Sequence, residues 1–186
     1  MNRHENMRVI ALDVRPRRLG YVVFEGPTRL IDWGVKRFEV EVRHVERIVR
    51  LVAVYHPSVI LLRNVRKNSS RHTPAFRSVH RRIVNWANSV ELPIAYVTEA
   101  AVRQTFSASA KATKERIARL IAGCFPELAW HVPPPRKLWQ SESRSMPIFD
   151  AAALALAYFA KKDPMAVRKF IVESVSFHRP LGGVAR

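Results

Sequence analysis

Residues 8–24, RVIALDVRPRRLGYVVF, constrain the chain more than any other stretch. A run of valine, isoleucine, alanine and leucine ends on an acid, Asp13, and after a short basic connection the apolar run resumes at Gly20 with YVVF. A continuous apolar run bounded by turn residues suits a strand buried on both faces, and the second run suits its hairpin partner. Open α/β sheets place ligands beyond the carboxyl ends of their central strands, where Asp13 would stand. The same acid would serve equally as a simple strand cap that begins a turn.

Leu30–Phe38 reads as a third strand, with Glu25-Gly26-Pro27 as the turn before it. Val42, Val45, Ile48, Val49, Val52 and Tyr55 recur at helical spacing, with charged residues between them, which predicts an amphipathic helix ended by His56-Pro57. Ser58–Leu62 is a buried strand after a helix, as a parallel crossover requires. Pro74 opens a second helix with Phe76, Val79, Ile83 and Trp86 on one side. Leu92–Val97 is expected to be the fifth strand, and Ile117, Leu120, Ile121 and Cys124 mark a further helix. Residues 125–147 read as one long irregular segment rich in proline. The helix expected from Asp150 to Lys162 is apolar almost all round and so must be well buried, and an amphipathic helix over Met165–Val175 precedes a tail. The expectation is one α/β domain over residues 1–186, its core about 7–162, with a C-terminal helix and tail over 163–186.

The charge balance names the partner class. Lys plus Arg number 32 against 15 Asp plus Glu, a formal charge of +17 with a pI near 11.3. Such a surplus makes polyanions the default partner, because neutralising phosphates releases their condensed counterions. From Arg63 to Arg82 the chain carries Arg63, Arg66, Lys67, Arg71, Arg77, Arg81 and Arg82 without an acid, which favours a phosphate-binding surface over a merely solvated face. No apolar run approaches the roughly 18 residues of a membrane span, and no signal peptide opens the chain, so a cytoplasmic location without membrane contact is expected. The single cysteine, Cys124, excludes an intrachain disulfide and a cysteine-rich zinc site. His72 and His80 lack partners at zinc-ligand spacing, and Ser69 and Ser70 near His72 have no acid to orient a base. Trp86, Trp130 and Trp139 are candidates to stack on unpaired bases, core or lid being the alternative.

Several short segments, in order and spacing, resemble the RuvC-type Holliday-junction resolvases of the ribonuclease-H-like superfamily. They are Asp13 with Gly20-Tyr21, Tyr55-His56-Pro57-Ser58, Leu92-Pro93-Ile94, Val102-Arg103-Gln104-Thr105, Ala112-Thr113-Lys114-Glu115 and Asp150-Ala151-Ala152-Ala153-Leu154-Ala155. The resemblance implies a mixed five-stranded sheet of order 3-2-1-4-5 with helices on both faces. It places a turn after the fifth strand, at Val102–Thr105. It also implies a twofold dimer, for which the helix bearing Phe76 and Trp86 is the expected interface. The family chemistry is metal-assisted phosphodiester hydrolysis, in which acids hold Mg2+ or Mn2+ ions that clamp the attacking and leaving oxygens.

Asp13 and Asp150 fill two of the four acidic positions that the resemblance implies, as catalytic residues and metal ligands. The other two hold Arg63 and Pro147. A cation about 4 Å from a metal position opposes binding by several kcal/mol at an effective dielectric near 20. Arg63 is therefore expected to pair with Asp13, and Glu99 and Glu142 are the candidate substitutes. Two main readings follow. In one the chain is an active magnesium-dependent endonuclease for crossover junctions, with Lys111 or Lys114 on the transferring phosphate. In the other it is a protein for branched or structured DNA whose hydrolysis is weakened or lost. Arg15, Arg17, Arg63, Arg66, Lys67, Arg71, Arg77, Arg81, Lys111 and Lys114 would then grip phosphates. A third reading makes the basic face a contact for ribosomal or other RNA.

Overall fold

The computed structural model describes residues 7–38, 43–65, 73–106, 113–134 and 142–177. Its centre is a five-stranded sheet of order β3-β2-β1-β4-β5. The strands are β1 (Arg8–Arg15), β2 (Arg18–Glu25), β3 (Arg29–Arg37), β4 (Val59–Arg63) and β5 (Ile94–Val97). β1 pairs antiparallel with β2 from Arg8↔Glu25 to Arg15↔Arg18, and parallel with β4 from Val9↔Val59 to Leu12↔Leu62. This is the predicted mixed sheet in the predicted order.

Both faces of the sheet are covered. α1 (Arg43–Tyr55) and α2 (Pro74–Ser89) lie on one side, where Ile48, Leu51, Val79 and Ile83 meet Ile10, Leu12, Ile60 and Leu62. On the other side α3 (Glu99–Phe106), α4 (Lys114–Cys124), α5 (Met146–Lys162) and α6 (Pro164–Phe177) share a core with Val9, Ala11, Val22, Phe24, Val59 and Leu61. The period of two along each strand produces this division, and it sends Asp13 to the same face as Val9 and Ala11. α5 is buried from Met146 through Ala157. Its alanines let the helix lie close on the sheet, and burying each of its large side chains contributes about 1.5–3 kcal/mol.

The structure corrects several expected boundaries. The first two strands each extend to the hairpin, so that Pro16 and Arg17 alone make the turn and Arg15 belongs to β1. β5 begins at Ile94: Glu91 has a positive φ of 54°, and Leu92 N–H returns to the Ala87 carbonyl at 2.9 Å, which closes α2 and keeps Leu92-Pro93 in the turn. Val102–Thr105, expected as a turn, lie in α3. Thr98 caps that helix by accepting from Ala101 N–H at 3.1 Å, and Glu99 in its first turn suits the helix dipole. A 3-10 helix, Pro126–His131, interrupts the segment read as irregular. α5 starts at Met146 rather than Asp150. Proline is tolerated in the first helical turn, whose N–H groups have no intrahelical partner, so Pro147 does not delay the start. The tail over 178–186 lies outside the described residues, as do Arg66, Lys67, Ser69, Ser70, Arg71, His72, Lys111 and Trp139. Among the described residues no helix is long and apolar enough to cross a membrane.

Candidate site at the ends of the central strands

Asp13 is one residue past the last β1–β4 pair and opposite Gly20 on β2. That glycine sets the geometry of the site. A Cβ built on Gly20 would lie 2.3 Å from the Pro147 carbonyl oxygen and 2.4 Å from Pro147 Cβ, so only glycine admits the first turn of α5 here. One turn further along α5 comes Asp150, which is thereby brought beside Asp13. Both are buried, at 2% and 6% exposure.

Arg15 joins them. Two residues beyond Asp13 on the same strand, it shares that face and reaches back. Its Nε donates to Asp13 Oδ2 at 2.6 Å, its Nη2 to Asp150 Oδ2 at 2.8 Å, and its Nη1 to Glu142 Oε2. Buried His44 steadies the backbone beneath it, its Nε2 donating to the Arg15 carbonyl at 2.9 Å. Lys114, the first residue of α4, donates to Glu142 Oε1 at 2.5 Å and Asp150 Oδ2 at 3.0 Å. Arg63 at the end of β4 reaches Asp150 Oδ1 at 3.4 Å through Nη2, while its buried Nε finds no partner among the described residues. Among the described residues three acids and three cations thus meet, and these six balance in formal charge.

These contacts shift the titrations. Burial pushes the Glu142 carboxyl up, but the hydrogen bonds and charges of Arg15 and Lys114 outweigh it and bring the pKa down to about 2. Burial likewise disfavours the Arg15 cation, yet Asp13 and Glu142 more than compensate and hold its pKa above the ordinary arginine value.

The structure therefore brings together Asp13, Asp150, Glu142, Arg15, Arg63 and Lys114 from the sequence candidates. Arg63 was expected to pair with Asp13, but its ion pair is with Asp150, and Asp13 pairs with Arg15. The reason is position: β4 ends beneath α5, whereas Arg15 shares a strand face with Asp13. Glu99 pairs with Arg103 at 2.5 Å, its side chain 63% exposed, and lines a pocket that it shares with Arg63, Lys114 and Asp150. Pro147 stands against Gly20. Arg15 and Lys114, expected on phosphates, here face carboxylates, while Arg17, Arg77 and Arg81 are exposed. Trp86 is half-buried against the α1–α2 core and Trp130 is 95% exposed. His44 was missed because nothing in its local sequence distinguishes a buried hydrogen-bonded histidine from a surface one.

The residues present do not fit a divalent ion. Among the described residues no three of His, Cys, Asp and Glu are placed to hold one. Magnesium requires oxygen ligands in near-octahedral array, and here two guanidinium groups and an ammonium lie on the carboxylate oxygens. A positive charge at hydrogen-bond distance from those oxygens opposes a second cation by several kcal/mol at an effective dielectric of about 20.

No protein-family model and no curated protein matches the sequence. Solved structures do match. Thermus thermophilus RuvC superposes with a TM-score of 0.64 at 19% identity, covering 84% of this chain and 96% of that one. The same protein in complex with a Holliday junction substrate gives 0.63 at 18% identity, covering 84% and 95%. The yeast mitochondrial Holliday junction resolvase Ydc2 gives 0.58 at 14% identity, covering 94% and 84%. The chain has the ribonuclease-H-like fold of RuvC-type resolvases.

Proposed function

We propose that this protein binds branched or structured DNA through a ribonuclease-H-like domain, spanning the whole chain, whose metal-dependent phosphodiester hydrolysis is weakened or lost. One observation carries the loss: the Arg15 guanidinium lies between Asp13, Glu142 and Asp150, so the chain's own cation sits where the acids would gather a metal. Binding is supported by charge. The six-residue cluster cancels itself, so the formal surplus of +17 belongs to the rest of the chain, Arg17, Arg77, Arg81 and Arg82 being exposed members of it. Guanidinium groups pair with phosphate oxygens and release counterions. Branched DNA, rather than duplex alone, is inferred from the solved relatives, one of them bound to a Holliday junction.

The test is a labelled four-way junction incubated with the protein and Mg2+ or Mn2+, with binding and strand nicking read together. Tight binding without nicking is expected, the affinity falling about a hundredfold or more between roughly 50 and 200 mM salt. Salt-independent binding, or none, overturns the phosphate-surface reading, and competition by duplex DNA and structured RNA ranks the partners. The convergence of three carboxylates favours a second reading, an active endonuclease in which Arg15 leaves the acids on substrate binding. Metal-dependent nicking abolished by Asp13→Asn would establish it.

A further inference from the structure

Beside the acidic cluster, where β4 and β5 end against α2, lies a cavity of about 400 Å³. Its wall combines aromatic rings with cations. Phe76, His80 and Tyr96 form a ladder, with ring centroids 5.5 Å apart at 37° for Phe76–His80 and 5.8 Å apart at 30° for His80–Tyr96. Arg63, Arg77 and Arg81 surround the ladder, and Asn64 completes the wall. Tyr96, on the edge strand β5, ends the ladder on the open side and is 48% exposed. Arg63 is under-satisfied, with one long contact to Asp150 and a buried Nε lacking a partner among the described residues. Neither feature is required by the core.

We infer that this cavity is a subsite for one unpaired nucleotide of a bound nucleic-acid strand, its base stacked on Tyr96 at the end of the Phe76–His80–Tyr96 ladder and its phosphate held by Arg77 and Arg81. The inference rests on the proposed nucleic-acid binding and names what that binding distinguishes. An aromatic face is tolerant of base identity, and guanidinium groups clamp phosphate oxygens in pairs. A volume near 400 Å³ falls in the range of small-ligand sites. The amide of Asn64, whose backbone N–H is already fixed on the Val97 carbonyl at 2.9 Å, is placed to meet a base edge. Paired bases cannot enter, so the site separates branched or gapped DNA from continuous duplex.

Two DNAs of one sequence test this, a continuous duplex and the same duplex with a short single-stranded gap carrying 2-aminopurine. The wild-type protein is expected to prefer the gapped DNA and to quench its fluorescence. Tyr96→Ala lowers the ratio of gapped to duplex affinity about tenfold, as loss of one base–aromatic stack of roughly 1.4 kcal/mol implies, and abolishes the quenching, whereas Tyr96→Phe preserves both. Arg81→Ala, on an exposed position that does not threaten folding, lowers the same ratio. If both DNAs bind in a salt-dependent way but the ratio and the quenching are unmoved by Tyr96→Ala, the subsite is wrong and the wider reading survives. If neither DNA binds, both fall.

Discussion

Arg15 makes three charge-assisted hydrogen bonds to three carboxylates, and two of those acids, Asp13 and Asp150, are almost fully buried. Removing one partner of a buried ionic group leaves the others charged and desolvated, which is costlier than never having built the group. Arg15→Ala is therefore expected to destabilise the fold by about 3–5 kcal/mol in chemical denaturation; a loss under about 1 kcal/mol would show the contacts to be ordinary surface pairs. Glu142 supplies a pH signature. Its folded pKa, about 2, lies below its ordinary value of 4.5, so its contribution to stability is complete above about pH 4.5 and disappears as the pH falls toward 2. The stability gap between the wild-type protein and Glu142→Gln should close over that window, and a gap constant from pH 6 to pH 2 would contradict the assignment. Asp13 was legible as the acid near the end of an apolar strand, and Asp150 through the RuvC-type resemblance of its DAAALA segment, although its helix begins at Met146. The role of Arg15 was not, since with the hairpin turn read too wide it seemed to be a loop residue among several basic ones. Glu142 precedes α5 in a proline-rich segment, where no periodicity says which way a side chain faces.

At the level of elements, the site exists because α5 can approach β2 at Gly20. A methyl group there would collide with backbone atoms of Pro147, which have little freedom to retreat. Gly20→Ala should cost about 3 kcal/mol or more, in the upper range for overpacked sites, and should loosen Asp150 from Arg15. Amide hydrogen exchange at the start of α5 would report this as lost protection there, and unchanged exchange would show that the helix yields freely. The strands could be read from apolar runs separated by turn residues, most plainly β1, β2 and β4, which are buried on both faces, whereas their order was what the RuvC-type resemblance implied. α3 was read as a turn: its eight residues give barely two turns of periodicity, and the capping Thr98 was its one clear local signal.

The whole molecule carries its excess charge outside the neutral cluster, and that partition separates stability from binding. Reversing exposed charges on α2, as in Arg77→Glu with Arg81→Glu, should weaken DNA binding at least tenfold and flatten its salt dependence, with little change in stability. An unchanged salt slope would move the binding surface elsewhere. The twofold pairing implied by the RuvC-type resemblance belongs to this scale as a proposal, with its interface off the α2 face that carries Arg77 and Arg81: sedimentation should return the mass of two chains, and the mass of one would remove it. Calorimetric titration with Mn2+ tests most directly whether the Arg15 guanidinium keeps a divalent ion from the three carboxylates. The wild-type protein should give no saturable heat, because Arg15, Lys114 and Arg63 all lie on these carboxylates. Saturable Mn2+ binding by the wild-type protein that vanishes in Asp13→Asn would contradict the account.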